Sequence, residues 1–168
     1  NLLHYNLMEV ALGQSKTESQ HREDWTRKLR VSGLSETDQT EALKRLKLGF
    51  TKARETDFGQ WVLNPDHQES ACELEIEQLL ADGSLSRSIV DRTFVAKDPN
   101  ENGESTRWII DYKSAMPSAG QSESDFLKSQ EEKYRDQLAR YRSLFEGDQA
   151  IKTLLYFPAA NLHQEVEF

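Results

Sequence analysis

Apolar residues recur at helical spacing in "LLHYNLMEVAL", residues 2–12, where Leu3, Leu7, Val10 and Ala11 make one stripe and His4, Leu7, Met8 and Ala11 a neighbouring one. The following "GQSKTESQHRED" is polar and reads as a connector, after which Trp25 and Leu29 anchor a short helix ending near Gly33. A longer helix is predicted for "SETDQTEALKRLKLGFTKARETDFG": Ser35 and Asp38 have capping-box spacing, Leu43, Leu46, Phe50 and Ala53 share a stripe, and Gly59 stops it. "NPDHQES" reads as a loop. From Ala71 the period changes to two. "CELEIEQLL", "SLSRSIVDRTFVA" and "RWIIDY" form a predicted antiparallel meander, its last two strands joined by a long turn from Lys97 to Thr106. After a second loop, "SESDFLKSQEEKYRDQLARYRSLFEG" places Tyr134, Leu138, Tyr141 and Phe145 on one helical stripe with Gln137 beside them, and "AIKTLLYF" is a last strand stopped by Pro158. This order predicts a single domain over residues 1–168, an α/β or α+β arrangement of helices and sheet.

Composition narrows the possibilities. With 36% apolar and 30% charged residues the chain reads as a folded, polar-surfaced protein. It has no apolar run near the ~18 residues of a membrane span and no signal-peptide pattern, so the expectation is a soluble, cytoplasmic protein without a membrane partner. The lone Cys72 excludes a disulfide framework, a four-cysteine zinc site and a cysteine-ligated iron-sulfur cluster within the chain. A net charge of −8 argues at first against nucleic acid, although carboxylates gathered to hold a divalent cation contribute to such a sum. The start at Asn1 rather than methionine suggests a piece of something longer.

The chemistry centres on "RWIIDYKS". Residues i and i+2 of a strand share a face, so Asp111 and Lys113 project together from the end of an apolar, buried strand. An ion pair explains that spacing as well as a catalytic role does. Asp91, at the end of the apolar run in "SIVDR", adds a second carboxylate at the same end of the sheet if the two strands pair. Two carboxylates and a lysine fit Mg²⁺ chemistry on a phosphate, with the lysine positioning the attacking water or the phosphate.

"SIVDRTFV", "RWIIDYKS" and "FLKSQEEKYRDQLARY" together resemble the nuclease domain of RecB/AddA-type helicase-nucleases, the UvrD-like and exonuclease V beta-like branch of the PD-(D/E)XK superfamily. The resemblance covers nearly the whole chain, since "WTRKLRVSGL", "FGQWVL" and "LLYFP" also match. It implies the restriction-endonuclease-like fold, a mixed central sheet flanked by helices. It also carries over roles: Asp91 for the aspartate of Gly-x-x-Asp, Asp111 and Lys113 for Asp-x-Lys, Gln137 and Tyr141 for Gln-x-x-x-Tyr, and His4 for the helical histidine near the domain start, with Glu9 five residues on. Asp91, Asp111, Lys113, Gln137 and Tyr141 are then the catalytic set, and His4, Asp91, Asp111 and Glu73 the metal ligands. Bland alternatives stand beside these: His4 as a core residue, Glu73 as an edge-strand surface carboxylate, Tyr134 and Tyr141 as core, and Arg135, Arg140 and Arg142 as solvated charges rather than DNA contacts. Ser88 replaces the family glycine, which affects backbone approach but removes no reacting group. The implied function is a Mg²⁺- or Mn²⁺-dependent exodeoxyribonuclease of recombination and repair, acting on single-stranded DNA supplied by a helicase domain of the same polypeptide. A nuclease-like module that only binds DNA or subunits is the alternative.

Overall fold

The computed structural model describes residues 2–14, 16–100, 103–145, 147 and 150–168. Helix α1 (Leu2–Ala11) is followed by α2 (Glu18–Arg30), α3 (Glu36–Glu55) and α4 (Asp57–Val62). Strands β1 (Gln68–Leu79), β2 (Leu85–Ala96) and β3 (Thr106–Tyr112) come next, then α5 (Glu123–Ser143), β4 (Ile151–Phe157), a 3₁₀ turn over Pro158–Ala160 and β5 (Leu162–Val166). The five strands form one mixed sheet in the order β1-β2-β3-β4-β5, in which only β3 and β4 run parallel, joined by the α5 crossover.

Helices cover both faces, which is why the central strand is apolar on both sides rather than alternating. Trp108, Ile110 and Tyr112 of β3 join Leu7, Phe50 and Val62 in the core under α1–α4, while Ile109 joins Phe126 and Leu138 in the core under α5. Both α3 and α5 begin as their sequences suggest: Ser35 Oγ accepts from the Asp38 N–H (3.1 Å) and Ser122 Oγ from the Asp125 N–H (3.1 Å).

Four elements depart from the sequence reading. The polar connector already contains α2, opened by a reciprocal capping box between Thr17 and Gln20, with only His21, Trp25 and Leu29 buried. The long helix breaks before Gly59: Thr56 closes α3 and caps α4, and the turn is so tight that a Cβ on Gly59 would lie 2.2 Å from the Ala53 carbonyl oxygen. The supposed loop at residues 64–70 contributes the first residues of β1, and β5, a short edge strand entered through a left-handed Asn161, follows where no strand was expected. Part of the Lys97–Thr106 connection, residues 101 and 102, lies outside the described residues.

A fully buried arginine ties the layers. Arg92 of β2 donates to the Val62 carbonyl (3.2 Å), the Asn64 carbonyl (2.9 Å) and Ser70 Oγ (2.7 Å), so α4 and the start of β1 hang on one guanidinium. Its planar fork satisfies the carbonyls that the end of a short helix leaves open.

Candidate active site

Asp91 lies inside β2 rather than at its end, since the strand runs on to Ala96. β2 pairs with β3 through Arg92 and Ile110, so one further step brings Asp91 abreast of Asp111. There the Asp91 carboxylate replaces a backbone acceptor: Tyr112 N–H donates to Asp91 Oδ2 (2.7 Å), which fixes the side chain against β3. Asp91 Oδ1 meets His4 Nδ1 at 3.2 Å, a contact reached across 87 positions because Leu3, Leu7 and Ala11 seat α1 on the sheet. The His4 ring stands edge-on to Tyr112 at 5.6 Å. Its other nitrogen, Nε2, is buried and has no hydrogen-bond partner among the described residues.

Glu73 of β1 completes a triplet. One donor atom from each of His4, Glu73 and Asp91 lies within 4.8 Å of the others. Glu73 reaches this place from a left-handed backbone, φ 47°, between Cys72 and Leu74, which pair with Arg92 and Val90 of β2. A non-glycine residue held there costs about 1–3 kcal/mol, which regular strand geometry would have avoided. Burial and the facing Asp91 carboxylate push the Glu73 carboxyl up, against the pull of His4. A nitrogen and two carboxylates crowded in this way are hard-donor chemistry that suits Mg²⁺ or Mn²⁺. The orphaned His4 nitrogen and the mutual repulsion of the acids both fit a cation held by this triplet.

Asp111 stands beside the triplet, not in it. Lys113 Nζ pairs with Asp111 Oδ2 at 2.5 Å, with both side chains largely withdrawn from water. Burial, then the charge of Asp91, push the Asp111 carboxyl up to about 6, with Lys113 and His4 opposing. Two carboxylates so close on neighbouring strands resist simultaneous ionisation unless a cation joins them.

The second layer comes from α5. Gln137 Oε1 accepts from Lys113 Nζ (3.5 Å), while Gln137 Nε2 donates to Tyr141 Oη (2.8 Å) and faces Asp111 Oδ1 at 3.3 Å. One amide therefore holds lysine and aspartate in register, and Tyr141, one turn on, holds the amide. The Lys113 ammonium lies 3.8 Å from the centre of the Tyr134 ring, a cation–π contact that the sequence reading treated as core packing. The signal was present, because Tyr134, Gln137 and Tyr141 share one α5 stripe.

His4, Glu73, Asp91, Asp111, Lys113, Gln137 and Tyr141 thus come together from α1, three strands and α5. Glu9 does not join them: its carboxylate turns to Lys16 of the α1–α2 connection (2.5 Å) and toward His21 (3.9 Å). Arg135 is engaged by Glu131 and the Glu167 carbonyl, and Arg140 lies 5.8 Å from the Tyr141 ring. Ser88 is buried in β2 opposite Ile76, so the hydroxyl is accommodated where a glycine was expected. No helix among the described residues is long and apolar enough to cross a membrane. No protein-family model matches the chain, and no curated protein matches it.

Proposed function

We propose that the protein is a divalent-metal-dependent DNA nuclease with a restriction-endonuclease-like fold, cutting phosphodiester bonds of single-stranded DNA delivered by an attached helicase in recombination or repair. The observation that carries this reading is the convergence of His4, Glu73 and Asp91 within 4.8 Å of one another beside the Asp111–Lys113 pair. The mixed sheet with helices on both faces and a parallel β3–β4 pair is compatible with that fold.

His4, Glu73 and Asp91 would hold the cation, with Asp111 facing it from β3. When bound, the cation supplies Lewis acidity toward the phosphate and neutralises developing negative charge. Lys113 contributes a second positive charge from the chain itself, able to hold a phosphate oxygen or the attacking water. Gln137 and Tyr141 position that lysine, and the Tyr134 ring lies against its ammonium. Tyr112, through its backbone N–H, keeps Asp91 from swinging away.

The test is cleavage of end-labelled single- and double-stranded DNA with Mg²⁺, with Mn²⁺ and with EDTA, by the wild type and by Asp111→Ala. Metal-dependent cutting by the wild type alone supports the reading. DNA binding without cutting under any of these conditions points instead to a nuclease-like binding module.

A further inference from the structure

Two exposed cations of α5 lie against the tyrosines of the site. Lys113 Nζ is 3.8 Å from the centre of the Tyr134 ring and Lys133 Nζ is 5.0 Å from the same centre. The two ammoniums are therefore neighbours on one ring, separated by no more than the sum of those distances. The Arg140 guanidinium lies 5.8 Å from the Tyr141 ring. The Tyr141 hydroxyl accepts from Gln137 Nε2 at 2.8 Å, and Gln137 is the amide that also meets Lys113. Each tyrosine thus touches a side chain of the site and a cation exposed to solvent.

Neither Lys133 nor Arg140 has a carboxylate partner among the described residues, whereas Arg135 is held by Glu131 and the Glu167 carbonyl. Asp136 stands three residues after Lys133 and four before Arg140, a spacing at which helical ion pairs form, and pairs with neither. Lys133 and Arg140 are seven residues apart on α5, so they share a face and stand about 10.5 Å apart along the axis. Gln137, which meets Lys113, falls between them. Lys113 itself is committed inside the site, to Asp111 at 2.5 Å and Gln137 at 3.5 Å. A lone phosphodiester needs only that inner cation. A strand carries one phosphate per roughly 3.4 Å of axis when stacked and spaces them more widely when pulled straight, so the two outer cations suit the phosphates one step to either side of a central one.

We infer that Lys133 and Arg140 hold the phosphates on either side of the one that is cut, so that the site takes a run of consecutive phosphates of a polynucleotide strand rather than a small phosphodiester. The inference rests on the nuclease reading for the central phosphate. Tyr134 is a positioning residue in this arrangement, because its ring sets Lys133 beside Lys113 through the attraction of a cation to an aromatic face. The flanking contacts lie away from the bond that breaks and are made equally before and during the reaction. Their loss therefore appears in KM and strand affinity rather than in kcat.

The experiment uses the whole protein and an end-labelled oligothymidylate, either unmodified or carrying one uncharged methylphosphonate linkage. Strand binding is measured in Ca²⁺, and cutting at each bond in Mg²⁺ or Mn²⁺ with the strand below saturation. In the wild type, a methylphosphonate one step to either side of a bond should slow its cutting about tenfold, the loss of one charge-assisted contact. Lys133→Ala should abolish that slowing on one side and Arg140→Ala on the other. Each variant should raise Kd and KM for the unmodified strand about tenfold with kcat little changed, and Lys133→Arg should restore them. Each alanine should also flatten the slope of log affinity against log salt by about 0.7. Tyr134→Leu should abolish the slowing on the Lys133 side and Tyr134→Phe should keep it. Lys44→Ala, exposed on α3, should leave Kd unchanged. The inference is overturned if the wild type binds no strand, if a methylphosphonate slows the wild type and both alanine variants equally, or if Lys133→Ala and Arg140→Ala bind as the wild type does. A wild type that still cuts in those cases keeps the nuclease reading. Kd shifts as stated in a protein that never cuts would uphold the two phosphate contacts and overturn the nuclease reading.

Discussion

Replacing Asp111 by asparagine should stabilise the protein. In the fold this carboxyl is 3% exposed and, before any cation binds, burial and Asp91 together raise it from an ordinary 3.8 to about 6. A shift of about two units corresponds to about 3 kcal/mol, which folding loses at neutral pH by keeping Asp111 ionised. Asparagine keeps the shape and the acceptor for Gln137 but presents an amide N–H₂ to Lys113, so a net gain of about 2 kcal/mol is expected in EDTA. The sign follows from linkage. A group whose folded pKa is raised contributes stability that is whole below its unfolded value and lost as pH rises through the folded one. The variant's advantage should therefore be near zero below pH ~3.8, grow across the interval, and be flat above pH ~6. Urea unfolding of both proteins at pH 4 and pH 7.5 measures it. Equal stability at pH 7.5, or an advantage that does not shrink at pH 4, would refute the argument that the site holds unrelieved negative charge. A stabilising change that silences a site is what functional strain produces.

Glu73→Gly should remove the left-handed strain and raise stability by about 1 kcal/mol while weakening Mn²⁺ affinity, read by calorimetry of unfolding and of binding on one sample. Gly59→Ala should cost about 1–3 kcal/mol, because the new Cβ meets the Ala53 carbonyl at 2.2 Å, with the loss visible in the urea midpoint. Burial lowers His21, His67 and His163 below the ordinary 6.5, so their neutral forms contribute stability that is whole above that value and lost as pH falls through the folded values. Thermal midpoints should fall from pH 7 to pH 5, and His21→Gln, which keeps a donor toward Asn6, should shallow that slope.

Periodicity carried the elements whose burial is one-sided or complete: α1, α3, the meander, α5 and β4 all have stripes or apolar runs readable in isolation. It failed at the start of α2, a helix it anchored on Trp25 and Leu29 alone, because three buried residues in thirteen leave little apolar signal ahead of them and only the Thr17–Gln20 box marks the first turn. It also failed at β5, an edge strand of mostly polar residues whose existence depends on β4 being there to pair with. The grouping of the site was legible through motif order, since spacing within strands and helices puts Asp111 with Lys113 and Gln137 with Tyr141. Periodicity could not say that Glu73 enters by a left-handed kink, that Glu9 turns away to Lys16, or that Tyr134 underlies the lysine. Those depend on which neighbour each side chain meets after folding.

The most direct measurement is the single-turnover rate of cutting an end-labelled single strand in saturating Mg²⁺, wild type against Lys113→Ala, with strand binding followed in parallel. Lys113 stands at the junction of Asp111, Gln137 and Tyr134, so its loss should slow cutting about 10²-fold or more while the strand still binds. Equal rates in the two proteins would contradict the assignment of this site.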